Sequence, residues 1–129
     1  MPHVIVEYSG NMEDRLDMAA FCDLLRRTAI RIDALPLPGV RVRAIKVDHV
    51  SMADGDPQHG FIDISVRMRG GRSDAVKQDI ATRLFEAARA FAADDMAQNS
   101  LALSLEVRDI DPALSPKTGS VRDHLKGQE

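Results

Sequence analysis

Residues 61–73 read FIDISVRMRGGRS, and this stretch decides the fold. Ile62, Ile64, Val66 and Met68 alternate with Asp63, Ser65, Arg67 and Arg69, the period of a strand with one apolar and one polar face. Gly70 and Gly71 make a tight turn, and Ser73 stands where a helix N-cap is expected. Beyond it Ile80, Leu84, Ala88 and Ala92 form one stripe with Phe85 beside it, which predicts a helix to about Asn99. Leu101, Leu103, Leu105 and Val107 then alternate as a second strand.

The same order precedes it. Pro2 to Tyr8 (PHVIVEY) is a strand-like run, and Ser9-Gly10-Asn11 breaks it. Phe21, Leu24, Leu25, Thr28 and Ile32 share one helix face. Either Asn11 or Asp17 serves as N-cap, and Glu13, Asp14 and Asp17 crowd the start as the helix dipole favours. Leu35-Pro36-Leu37-Pro38-Gly39 ends the helix. Val40 to Val50 (VRVRAIKVDHV) is expected as a long strand with Arg41 and Arg43 on one face. Residues 51–60 are dense in turn formers, and residues 109–129 are polar and proline-broken, with one helical turn near Val121 to Leu125.

Two β-α-β units, residues 2–50 and 61–108, therefore repeat one architecture within a single domain spanning 1–129. Each implies a right-handed crossover between parallel strands. The expected class is α/β (α+β): one four-stranded sheet with both helices on one face. The other face would be bare, with enough apolar surface to need cover from another subunit.

Composition narrows the function. The chain has 129 residues, 44% apolar and 29% charged, which suits one ordinary core. Cys22 is the sole cysteine, so no intrachain disulfide forms, and a small core filler is its expected role. The start does not resemble a signal peptide, and no apolar run approaches ~18 residues, so a cytoplasmic protein with no membrane partner is expected. A net charge of −3 argues against a nucleic-acid footprint. Thirteen of the seventeen basic residues are arginine, however, and Arg41, Arg43, Arg67, Arg69 and Arg72 fall within residues 41–72. Arginine grips carboxylates bidentately, so a small anionic ligand is expected.

Met1 precedes Pro2, a small residue that permits removal of the initiator. Removal leaves a secondary amine at the head of a strand, and burial or neighbouring cations lower its pKa. Such a base, poised near neutrality, suits proton transfer at carbon. His3, His49, His59 and His124 show no metal-ligand spacing with Cys22 or with a carboxylate pair, and nucleotide and hydrolase motifs are absent; neither metal nor cofactor is expected.

The opening Pro2-His3-Val4-Ile5-Val6-Glu7, with Ser9 and Asn11, resembles the start of 5-carboxymethyl-2-hydroxymuconate isomerases in the tautomerase superfamily. Residues 36–43 (PLPGVRVR), Met52-Ala53-Asp54-Gly55, Gly71-Arg72-Ser73 and residues 101–106 (LALSLE) extend the likeness from Pro2 to about Leu125. Tyr8 and residues 55–59 (GDPQH) depart from the family pattern. The resemblance implies a tautomerase-like fold, a homotrimer, and a cofactor-free isomerase acting on a ring-cleavage product with three carboxylates, in homoprotocatechuate degradation. It implies Pro2 as the acid/base and Arg41 and Arg72, with Arg43, as substrate-binding residues. Two alternatives stand beside it: a non-enzymatic oligomeric domain that binds an anion or partner, and a tautomerase for another 2-hydroxydienoate.

Overall fold

Strands β1 (His3–Ser9), β2 (Arg41–Val47), β3 (Gly60–Arg69) and β4 (Leu101–Ile110) form one sheet in the order β2-β1-β3-β4. The computed structural model describes residues 2–126; Met1, whose removal bears on the chemistry of Pro2, lies outside the described residues. The pairs β1–β2 and β3–β4 are parallel, as two β-α-β units require, and β1 meets β3 antiparallel at the centre. Helices α1 (Met18–Ala29) and α2 (Asp74–Gln98) pack on each other and cover one face of this mixed sheet.

Alternation decides which side chains meet the helices. Val4, Val6, Ile62, Ile64, Val66 and Met68 are fully buried beneath Phe21, Leu25 and Ala29 of α1 and Ile80, Leu84 and Ala88 of α2. Full burial of such a side chain stabilises the fold by about 1.5–3 kcal/mol. Phe91 of α2 meets Phe21 with ring centroids 5.3 Å apart and planes tilted by 52°.

The opposite face is bare but more polar than expected. By register it presents His3, Ile5 and Glu7 of β1, Arg41, Arg43 and Ile45 of β2, and the Asp63, Ser65, Arg67 series of β3. Ile5, Ile45 and Phe61 are its large apolar members.

Boundaries shift for physical reasons. The first strand starts at His3 because Pro2 has no N–H to give a ladder. The second ends at Val47, not Val50, because its partner ends at Ser9, which pairs with Val47. Helix α1 ends at Ala29, although Ile32 beyond it remains buried. Asp17 is its N-cap, accepting from the Ala20 N–H at 3.0 Å. Asn11 instead donates to the carbonyls of Pro57 and His59 at 3.3 and 2.9 Å, pinning the turn-rich loop. Ser73 caps α2 as expected, accepting from the Val76 N–H at 3.2 Å.

Gly60 opens β3 in a crowded place. A Cβ there would lie 2.7 Å from both Met12 Sδ and Arg15 Nη1. Met12 is fully buried, and Arg15 is held by Asp95 at 2.6 and 3.0 Å and by the Ser100 carbonyl at 3.1 Å. Neither neighbour can yield cheaply, so Gly60→Ala is expected to destabilise by about 1–3 kcal/mol, read as a fall in the urea midpoint.

Candidate active site

One end of the sheet gathers most of the predicted residues. The antiparallel junction brings the start of β1 beside the end of β3, so His3 pairs with both Arg41 and Arg67. Pro2 heads β1, fully buried, and its carbonyl accepts from the Arg41 N–H at 3.2 Å. Arg43 Nη1 stands 3.2 Å from His3 Nδ1 on the bare face. The pKa of His3 lies below its ordinary value, first through burial and then through the charges of Arg67, Arg43 and Arg41.

Arg72 reaches this end in a different manner. Its Nε and Nη2 donate to the Ala34 carbonyl at 3.2 and 2.7 Å, and its Nη1 donates to the Arg69 carbonyl at 2.5 Å. The guanidinium therefore clasps the exit of β3 to the loop between α1 and β2. Three of its five N–H groups are so committed and two remain. Its charge is not cancelled, because carbonyls carry none.

Two clefts open here. One, of about 390 Å³, is lined by Arg69, Ile110, Pro112, Ser115 and Lys117. The other, of about 860 Å³, runs past Pro38, Gly39 and Arg41 to Lys117 and the helical turn Val121–His124. Both are walled by the carboxyl-terminal segment, to which the sequence assigned a turn but no role. That segment has no hydrophobic period to betray its docking, and its one signal is that it holds two of the four lysines of an arginine-rich chain, Lys117 and Lys126. Among the described residues, Arg41, Arg69 and Lys117 have no carboxylate within ion-pair distance.

The other candidates lie elsewhere. At the far end of the sheet His59 is held between Ser100 Oγ at 2.6 Å and Asp54 Oδ1 at 2.7 Å, closing the 51–60 loop onto the start of β4. Cys22 is half-buried on α1, and burial pushes its thiol pKa up, away from reactivity. No described helix is long and apolar enough to cross a membrane.

Known proteins resemble this chain in sequence and in fold. A profile of the family described as 5-carboxymethyl-2-hydroxymuconate isomerase matches residues 2–125. The 5-carboxymethyl-2-hydroxymuconate Delta-isomerase of Escherichia coli is 32% identical over 126 residues, covering 98% of this chain and all of that protein. The crystal structure of a 5-carboxymethyl-2-hydroxymuconate isomerase from Deinococcus radiodurans R1 superposes with a TM-score of 0.88 at 25% identity, over 95% of this chain and 92% of that one. At the level of fold alone, a fused 4-OT described as a symmetric trimer superposes with a TM-score of 0.65 at 16% identity, over 90% and 93% of the two chains. With the family matched from Pro2 to Leu125 and a relative of this identity matched along its whole length, the chain is an isomerase and belongs to the 5-carboxymethyl-2-hydroxymuconate isomerase family.

Proposed function

We propose that the chain ketonises 5-carboxymethyl-2-hydroxymuconate, with the amine of Pro2 carrying the proton, as a step in the breakdown of aromatic compounds. The observation that carries this reading is the burial of Pro2 beside Arg41, at the end of the sheet where cations without carboxylate partners collect. The amine takes the proton from the 2-hydroxyl group. The C2–O bond becomes the ketone, the double bonds shift to C3–C4, and the electron pair arrives at C5. The protonated amine then returns its proton to C5, so one group serves as base and acid and no co-reactant is consumed.

The cations act on the charge that moves. Arg41 binds the carboxylate beside the 2-oxo end and favours negative charge developing on oxygen. Burial and the nearby positive charge of Arg41 and Arg43 disfavour a protonated Pro2 amine. Arg72 serves in two ways: it adds positive charge and it fixes the backbone that presents Arg69. An acidic protein with this local basic end draws a polyanion to one place. The bare sheet face would close against two further copies in a homotrimer; the trimeric fused 4-OT of the same fold and the exposed Ile45 support that assembly.

The test is direct. In deuterium oxide the enzyme should convert the dienol to the 3-ene-2-one with one deuterium at C5, followed by ultraviolet absorbance and proton NMR. A chain that leaves the dienol at its uncatalysed rate overturns the reading.

Arg72 gives a graded prediction. Arg72→Ala removes both the charge and the clasp, and it should lower kcat/KM by about 10- to 100-fold, the worth of a charge-assisted contact. Arg72→Lys restores the charge but cannot reach both carbonyls, so it should recover only part. Arg67→Ala, on the bare face, should matter less. Equal losses for Arg67→Ala and Arg72→Ala would mean that the pocket is misplaced.

A further inference from the structure

Beyond the residues that carry the reaction, we propose that Lys117 selects the substrate's third carboxylate, the one on the carboxymethyl arm; this rests on the ketonisation reading above. Lys117 is the residue shared by both clefts, standing between Arg69 on one side and Arg41 on the other. The family's substrate class, as its name states, adds a carboxymethyl group to a 2-hydroxymuconate core. Three anionic groups then meet clefts lined by Arg41, Arg69, Lys117 and Arg122.

The chemistry of each cation fits a different anion. The two carboxylates of the muconate core are conjugated and held in one plane, which suits the rigid fork of an arginine. The carboxymethyl carboxylate hangs from a tetrahedral carbon and turns freely. It needs no fixed fork, and a compact ammonium on a flexible stem can follow it. The charge of Lys117 is also uncommitted. Lys77 is tied to Asp109 at 3.3 Å and to Asp74 at 3.6 Å, and Lys46 lines a groove at the far end of the sheet. Lys117 has no carboxylate within ion-pair distance among the described residues and its side of the tail is open to solvent.

The experiment compares two substrates and two variants. Lys117→Met keeps the stem and removes the charge; Lys117→Arg keeps the charge. For Lys117→Met, the ratio of kcat/KM on 5-carboxymethyl-2-hydroxymuconate to that on 2-hydroxymuconate should fall about 10- to 100-fold, mostly through KM. Lys117→Arg should keep most of the ratio. An unchanged ratio in Lys117→Met, or an equal loss on both substrates, overturns the assignment. Calorimetry with propane-1,2,3-tricarboxylate and glutarate separates this from the parent reading. If the wild type turns over neither dienol while Lys117→Met still loses its preference for the tricarboxylate, ketonisation fails and Lys117 stands. If wild type and Lys117→Met show the same preference, Lys117 fails.

Discussion

Replacing Pro2 with alanine is expected to lower kcat for ketonisation by about 10²- to 10⁴-fold, the range that a positioned acid/base supplies. Alanine also permits removal of Met1, so the variant still presents an amine at the same place. What changes is the amine itself. A primary amine is more strongly hydrated, turns about its N–Cα bond, and loses the ring that fixes its lone pair relative to the start of β1. The fold should survive, because the one hydrogen bond from Pro2 to the sheet uses its carbonyl, which alanine supplies equally to the Arg41 N–H, and only the buried ring is lost. Circular dichroism and the urea midpoint check that part. The pH profile checks the rest: wild-type kcat/KM should rise with pH along a limb where the Pro2 amine loses its proton. His3, the next residue, has its pKa lowered by burial and then by the charges of Arg67, Arg43 and Arg41. In Pro2→Ala that limb should move. Near wild-type turnover in this variant would remove proline from the mechanism.

Retention of Met1 should have an effect at least as large. An acylated proline nitrogen lends its lone pair to the peptide carbonyl and is no longer a base. Active protein should therefore have an intact mass lower by one methionine residue. Specific activity should scale with the processed fraction, and any amino-terminal tag should abolish it. A fully active preparation that keeps Met1, confirmed by mass spectrometry, would exclude Pro2 as the base and return attention to the arginine cluster as a plain anion-binding surface.

The strand and helix order was legible because each element carries its own period. Ile62 to Met68 alternates so regularly that β3 has one reading, and the stripe from Ile80 to Ala92 fixes α2. What local pattern cannot hold is the length of a partner. The run from Asp48 to Val50 looks like strand, and only the end of β1 at Ser9 leaves it unpaired. Asn11 and Asp17 looked alike as caps, because choosing between them needs the position of a loop some fifty residues away. The same limit governs the site. Pro2 and Arg41 could be joined through their motifs, and the fold brings them within one hydrogen bond. Arg72 could be found but not its clasp on Ala34, a contact between segments with no common period. Lys117 stood in a stretch without periodicity, where neither docking nor neighbours can be inferred from spacing.

The central position of β1 also sets a clock on the ribosome. Its partners in the sheet are residues 41–47 and 62–67, so the first strand to be made must wait for β3 before both its neighbours exist. At about 5–20 residues per second, synthesis through β3 lags the emergence of Pro2 by roughly 3 to 13 s. During that interval the amino terminus is loose chain, open to an aminopeptidase; once the sheet closes, Pro2 is buried. In the proposed mechanism, excision of Met1 thus competes with folding. A synonymous recoding that speeds translation of the first seventy codons, or a shortage of the peptidase, would yield correctly folded chains trapped without a basic nitrogen.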